Sequence, residues 1–553
     1  GTLQTDDIFE SIDLSWNRVN GGKEIEQKIT SIIAAYEFQA PEKSVPALVE
    51  LYQAIGKLDA SASRLIQRKQ QQVADLIQQC LGLYVAVYSP KNLFAPGTEA
   101  PLQYEIINRS GLWVSSITIS IPATSQHEDF SKTFSLNNKQ LETGKLTSLK
   151  IKEDAPFSNP LWLNLNENVN KENLYSAKLF TDFAYTAVLK IKDVEIPLAC
   201  IMSEKIHDPV RGEVHQPLVV APSVSIQSAQ KTVICNQQAS KQFPLLITAF
   251  KDQLSVELDA EKNTDWDVQF SAQQLSFQKA GDEQTVFVTI TPKTALAKGT
   301  IRFIAKEKNR SYGVSLNKIQ YDHIPHLIYF TEARVKVENV NLQLSKKPIA
   351  YIEGAGDEVG FYLEQIGYPV TYLTPQDLNA ANLASYQAVI LGIRAYNTIP
   401  NIEQLQKKLL SYVESGGNVI VQYITTAGLQ TKNIGPYPFS ISRERVTEEN
   451  APVVYQKNDA LMQFPNAISD KDFEGWVQER GLYFAENWDK NYRTVFRMND
   501  KGEKPHEGSL IVANYGKGTF TYTGISFFRQ LPAGTTGAYK LLVNLIEQEN
   551  RTK

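Results

Sequence analysis

Ile349-Ala350-Tyr351-Ile352-Glu353-Gly354-Ala355-Gly356-Asp357 is a short apolar run that breaks into a polar, glycine-rich turn, and the same plan recurs downstream. Ala388 to Leu391 gives way to Gly392-Ile393-Arg394-Ala395-Tyr396-Asn397, and Val419 to Val421 gives way to Gln422-Tyr423-Ile424-Thr425-Thr426. Continuous apolar runs of this length suit strands buried on both faces. Between them, Val359, Leu363 and Ile366 before Gly367, and Ile402, Leu405, Leu409 and Tyr412 before Gly416-Gly417, have helical spacing. Alternating strand and helix implies a parallel sheet with right-handed crossovers, whose ligands sit outside the carboxyl ends of the strands. The polar clusters fall at those ends and contain no cysteine and no set of metal ligands. The expectation is a ligand-shaped cleft that has lost its chemistry.

Upstream of this region the period changes to two. Leu102, Tyr104 and Ile106 alternate with polar partners, and runs at Ile117 to Ile121, Leu149 to Ile151 and Ala187 to Ile191 follow, separated by turn signals such as Ala95-Pro96-Gly97 and Asn108-Arg109-Ser110-Gly111. A β-sandwich over residues 83–206 is the natural reading. A second is expected over 207–335, with Trp266, Val268 and Phe270, then Val286, Val288 and Ile290, then Ile301, Phe303 and Ala305 alternating. Residues 1–82 read as helices: Ile25, Ile29, Ile32, Ile33 and Tyr36 share a face, Ser44 and Pro46 open a second helix, and Gly82 closes a third. The fold class expected is multidomain α+β, ending in an α/β domain over residues 345–553. His207 to Glu213 and Tyr321 to His326 read as stiff, proline-bearing connectors between these parts.

A chain of 553 residues is too long for one core. With 56 basic against 60 acidic residues and no long basic run, it lacks the electrostatic footprint of a nucleic-acid partner. No stretch approaches the roughly 18 apolar residues of a membrane span. The chain begins Gly1-Thr2, which implies removal of an upstream portion and leaves export open. Cys80, Cys200 and Cys235 lie far apart beside apolar residues and read as buried thiols, with a Cys200–Cys235 bridge as the alternative.

Several constellations carry possible chemistry. His323 and His326, beside Asp322, have a zinc-binding spacing for a helix, which Pro325 disfavours; His207 and His215 are discounted likewise. The Glu353 to Asp357 turn has a phosphate-loop shape, yet its carboxylates would repel an anion, and a tight turn capped by Asp357 is the simpler reading. Arg394 at a strand end suits a carboxylate or neighbouring hydroxyls, with Tyr396 as a stacking face; the alternative is an ion pair with Glu353 or Asp357. Asp472 and Glu479 are candidates for a glycosidase carboxylate pair. The loops 435–449 and 472–481 mix aromatics, arginines and carboxylates, as both sugar-facing surfaces and salt-bridged loops do.

Taken with Gly354-Ala355-Gly356-Asp357 and Leu391 to Asn397, the stretches Gly435 to Glu449, Asp472 to Phe484, Phe527 to Gly534 and Gly537-Ala538-Tyr539 resemble the C-terminal region of large bacterial PIG-L (LmbE-type) deacetylase family proteins. The resemblance covers nearly the whole chain, including the Asp208 to Glu213 and Asp322 to His326 segments and Asn108-Arg109-Ser110. It implies that a zinc-dependent de-N-acetylase domain lies upstream; no His-Pro-Asp-Asp type motif stands in these residues, so no catalytic position carries over and no cofactor is expected within this chain. The final domain looks like the class I glutamine amidotransferase-like, flavodoxin-like fold, near its ThuA-like branch. Members of that fold that react use a cysteine on a sharp turn after a strand, activated by a histidine. Here the corresponding turn is Gln422-Tyr423-Ile424, all three cysteines lie upstream, and His506 is the domain's one histidine. The second β block resembles accessory sandwiches of bacterial glycosidases.

The resemblance implies a non-catalytic accessory region of a deacetylase acting on N-acetylated sugars such as N-acetylglucosamine or on glycoconjugates, exported to the periplasm or cell envelope. Its partners would be a carbohydrate and the upstream deacetylase domain. The ligand-facing candidates are Glu353, Asp357, Arg394, Asn397, Gln422, Tyr423, Trp476 and Glu479. Two other readings stay open: a structural scaffold or protein-interaction module, and a hydrolase using Glu353, Asp357 or Glu479 as acid and base.

Overall fold

The computed structural model describes residues 9, 12–58, 64–110, 112, 114–136, 139–160, 163, 183–324, 326–380 and 382–548. The expectations placed on Gly1, Thr2, Gly111 and Pro325 lie outside them. The chain is a multidomain α+β protein rich in sandwich-like sheets. Among the described residues no helix is long and apolar enough to cross a membrane.

Alternation of apolar and polar residues does what it should. Ile117, Ile119 and Ile121 point inward from the strand Ser116–Ile121, and Leu102 and Ile106 from Glu99–Asn108. These strands belong to two sheets, a five-stranded one running 212–217, 203–208, 83–89, 99–108, 142–150 and a four-stranded one running 130–135, 116–121, 184–191, 194–201. One apolar core fills the space between them, and the helices Gly22–Ala34, Val45–Gly56 and Arg64–Cys80 dock into that same core through Ile25, Leu48, Leu51, Ile55, Ile66 and Ile77. The face expected on the first helix is therefore narrower than its sequence suggests: Ile25 is buried, but Ile33 is 70% exposed and Tyr36, past the helix end, is 49% exposed.

The next pair of sheets, 224–228, 241–249, 283–292, 266–270 and 232–236, 334–340, 298–307, 254–260, 274–277, closes over a second core built from Trp266, Phe243, Phe303 and their neighbours. Both segments expected as connectors are hairpins instead. Strands Ser203–Asp208 and Gly212–Pro217 pair antiparallel, with Asp208 accepting the Val210 and Arg211 N–H groups at 2.8 Å each. Residues 321–324 and 326 lie between the paired strands Val314–Ile319 and Leu327–Glu332. Asp and Pro signal turns as well as linkers, and at Asp208-Pro209 the aspartate side chain closes the turn on its own backbone. The two hairpins touch: Arg211 pairs with Asp322, and Gln216 and His326 share a 2.7 Å hydrogen bond. All three cysteines are free, Cys235 buried and the others half-buried, so no Cys200–Cys235 bridge exists.

The C-terminal sheet runs 370–372, 349–352, 389–391, 418–422, 518–523, 510–515, 492–494. Its first five strands are parallel and the last two antiparallel. The helices Val359–Ile366, Ile402–Glu414 and Thr536–Ile546 lie where the apolar spacing put them or close the chain. This domain is fused to the second sandwich along a seam of satisfied polar groups. Gln365 accepts the Ile234 N–H at 2.7 Å, and Asn236 both donates to Ile366 O at 3.1 Å and accepts the Leu342 N–H at 2.9 Å. Below them, buried Glu338 takes Lys298 at 2.7 Å and the Thr536 hydroxyl.

Two outcomes follow from these networks. Asn236→Ala strands buried backbone groups on both sides of the seam, a change that costs about 1–3 kcal/mol; calorimetry should show a lower melting temperature with the C-terminal domain melting separately from the sandwich. On the first sheet, Lys205 at 2.7 Å holds the Glu213 carboxyl down at about 2, with His215 and Tyr84 adding hydrogen bonds. A carboxyl depressed from its ordinary 4.5 stabilises the fold above that value and loses its effect as pH falls toward 2. The stability difference between the protein and Glu213→Gln should therefore be constant from pH 7 to 5 and shrink between pH 4.5 and 2 in denaturant titrations.

Candidate functional site at the strand ends

Strands 349–352, 389–391, 418–422 and 518–523 are consecutive parallel neighbours, so their carboxyl ends bring Glu353 to Asp357, Gly392 to Arg394, Tyr423 and Gly524 to Ser526 onto one rim. The first two turns nearly touch. Ala355 N–H donates to Ile393 O at 2.8 Å, and a Cβ on Gly354 would stand 2.1 Å from that same oxygen, which is why only glycine fits there.

Asp357 caps its turn as expected, accepting the Val359 N–H at 2.9 Å. Its other oxygen accepts the Ile393 N–H at 3.0 Å from the next strand end, and it also takes the Tyr351 hydroxyl, which in turn accepts from Gln422 Nε2 at 2.9 Å. Burial, then the Asp357 charge, hold the Tyr351 phenol well above its ordinary value, so it remains the donor. Asp357 and Gln422 are thus framework groups, and Gln422 is fully buried. Asn397 serves the same end: it donates to Thr425 O at 2.9 Å and Ala427 O at 3.1 Å and accepts the Thr425 N–H at 3.0 Å. Tyr396, expected as a stacking face for a ligand, is wholly buried and bonded to Gln406.

Arg394 stands apart. Its backbone lies in the left-handed region at φ 56°, fixed by a 2.8 Å bond from its N–H to Tyr423 O, and its side chain is exposed. Among the described residues it makes no ion pair with Glu353, Asp357 or any other carboxylate, and Glu353 is likewise exposed and unpaired. Next to it Tyr423, itself largely buried, stacks on the half-buried Tyr483, with ring centroids 5.9 Å apart and planes 9° from parallel, and meets half-buried Phe528 at 5.2 Å; buried Ile393 and Leu482 complete this apolar cluster. The Arg529 guanidinium lies 4.8 Å over the Phe528 ring, held by Glu479 at 3.1 Å and by Gln478. Burial raises the Tyr423 phenol, and Arg394 and then Arg529 pull it back. Both positive charges therefore bear on that phenol, and the direct contact between Arg394 and Tyr423 is the backbone N–H bond to Tyr423 O. Gln478 and Tyr483 also have positive φ, 67° and 53°. Such backbone costs about 1–3 kcal/mol per residue and gathers where function requires a fixed side-chain direction.

Tyr483, Gln478 and Glu479 arrive from the excursion between strands 418–422 and 510–515. Buried Arg480 pins it, donating to Ala451 O at 3.2 and 2.9 Å and to Phe473 O at 2.5 Å, and lying 5.4 Å over the Trp476 ring. Desolvation lowers its guanidinium to about 10. Trp476 is 3% exposed and spends its N–H on Asp472 O, so it is core and faces no ligand. Glu479 and Asp472 do not form a free carboxylate pair: each has its own cation, Arg529 at 3.1 Å and Lys540 at 2.7 Å. Of the sequence candidates, Arg394 and Tyr423 meet at the rim, with Glu479 behind them. Tyr483, Phe528 and Arg529 were not among the candidates, although all three stand in the Asp472 to Phe484 and Phe527 to Gly534 stretches that carried the resemblance.

A cleft of about 1430 Å³ between the second sandwich and the C-terminal domain holds Lys298, Lys336, Glu338, Asp472 and Lys540, but its cations are largely engaged with Glu338, Asp472 and backbone oxygen. Among the described residues, no three His, Cys, Asp or Glu side chains cluster in a metal-holding arrangement.

No protein-family model matches the sequence, and no curated protein matches it. Solved structures with local similarity include a cold-adapted β-galactosidase from Rahnella sp. R3, at 16% identity over 37% of this chain and 32% of that one, with a TM-score of 0.22. Escherichia coli α2-macroglobulin matches at 10% identity over 47% of this chain and 22% of that one, TM-score 0.18. A Porphyromonas gingivalis W83 protein of unknown function matches at 9% identity over 46% of this chain and 98% of that one, TM-score 0.13. The chain spans about a third of the first of these and about a fifth of the second. Scores this low bear on neither the fold nor the activity.

The Gly354 contact is directly testable. Gly354→Ala must push the Ile393 carbonyl away, costing about 1–3 kcal/mol as overpacking does; denaturation should show that loss, and near-ultraviolet circular dichroism should report a changed tyrosine environment at the rim.

Proposed function

We propose that this chain is a non-catalytic accessory region of a PIG-L-type deacetylase acting on N-acetylated sugars or glycoconjugates at the cell envelope. In this reading the C-terminal domain belongs to the class I glutamine amidotransferase-like, ThuA-like group, with flavodoxin-like architecture, and binds a carbohydrate at its rim. Zinc and the deacetylation step belong to the upstream domain, which is the chain's partner.

The observation that carries the binding reading is the Arg394 guanidinium, unpaired and exposed beside the stacked Tyr423–Tyr483 pair. Sugars are bound by an aromatic surface under their C–H face and by a few fixed polar groups around it. Tyr423 stands on the turn where the related fold carries its nucleophile, which supports binding over reaction. The carboxylates of the hydrolase reading have less support: Asp357 accepts three hydrogen bonds and Glu479 is paired. A scaffold role is favoured by one fact, that Asn397, Gln422 and Asp357 are all committed to internal bonds.

Calorimetric titration with N-acetylglucosamine, chitobiose and glucosamine separates these readings. Saturable heat that disappears in Arg394→Ala, with the melting temperature unchanged because an exposed side chain away from the core shifts stability by about 0.5 kcal/mol or less, supports sugar recognition. Absence of heat with every sugar favours the scaffold.

A further inference from the structure

The charges around Tyr423 do not cancel. Glu479, itself 5% exposed, is consumed by Arg529, and Gln478 takes another edge of the same guanidinium. Arg394 has no such partner, and its left-handed backbone, locked to Tyr423 O, fixes where its side chain starts. Glu353, on the neighbouring strand end, is exposed and forms no ion pair with Arg394. The Tyr423 phenol has no hydrogen-bond partner among the described residues, and its ring stacks on Tyr483. Ile393, Tyr423 and Leu482 are buried, and the half-buried Tyr483 and Phe528 rings pack over them, so a neutral sugar on those two rings would leave Arg394 uncompensated.

We infer that the rim selects a sugar carrying a carboxylate: Arg394 takes the anion through its planar fork, the Tyr423 hydroxyl donates a further hydrogen bond, and Tyr483 with Phe528 supports the ring. This rests on the sugar-binding reading and sharpens it, naming an acidic N-acetylated sugar as the ligand class. The chemistry is planar recognition, so a lysine, which presents a point charge, cannot replace the arginine fully.

The test compares N-acetylmuramic acid with its methyl ester, which keeps size and ring but removes the charge, by calorimetry on the 553-residue protein at low and at physiological salt. The acid should bind about tenfold tighter than the ester, as charge-assisted hydrogen bonds allow. The preference should vanish in Arg394→Gln, fall by more than half in Arg394→Lys, and weaken with salt. Equal affinities for acid and ester would overturn the acidic-sugar inference while leaving sugar recognition standing. Failure of acid, ester and N-acetylglucosamine alike to bind would remove both. Melting curves of the two variants, expected to match the parent, keep a folding defect from passing as lost binding.

Discussion

The Asp357 carboxylate ties three strand ends into one frame. It receives the backbone of its own turn, the Ile393 N–H from the adjacent strand end, and the Tyr351 hydroxyl, to which Gln422 of the third strand is bonded. Each of those bonds is internal, so this carboxylate is committed to the frame. Its work is positional. With Ile393 fixed, Arg394 follows immediately in the left-handed region, and the bond from its N–H to Tyr423 O passes the constraint to the aromatic stack. A hydrogen-bonded buried network is stiff because every unmade bond within it is costly, and the rim inherits that stiffness.

The same logic operates on the far side. Arg480 is buried without a carboxylate, yet three bonds to carbonyl oxygens and the Trp476 face replace its water. It holds the excursion that delivers Gln478, Glu479 and Tyr483. The rim is therefore assembled from two independently anchored halves, one set by Asp357 and one by Arg480. Between them, among the described residues, the side chains of Arg394 and Glu353 have no ion-pair partner.

What the sequence disclosed and what it hid have physical causes. Strands with continuous apolar runs, such as Val419 to Val421, and alternating ones, such as Ile117 to Ile121, were legible because burial on two faces or one imposes those patterns directly. The Asp357 cap was legible because its role is local. Asn397, Gln422 and Trp476 were misleading because a polar or aromatic residue looks alike in sequence whether its partners are a ligand or distant backbone groups; Asn397 reaches Thr425 and Ala427, and Trp476 reaches Asp472. Arg529 was hidden for the converse reason. Its place at the rim depends on strand 518–523 docking beside 418–422, a pairing no local pattern encodes.

That pairing has a consequence for how the molecule forms. Asn418 is in register with Thr519, with the whole excursion enclosed between them. Contacts so distant in sequence are slow to find, because the intervening chain must lose its freedom before the pairing returns any stabilisation. The four preceding strands of the parallel array can order around local crossovers, whereas the fifth, 518–523, arrives by a long search. Tyr483 and Arg529 lie on either side of that closure. The rim is thus the part of the domain that matures last, and a chain caught before closure would be folded through its sandwiches yet lack the Tyr423–Tyr483 stack.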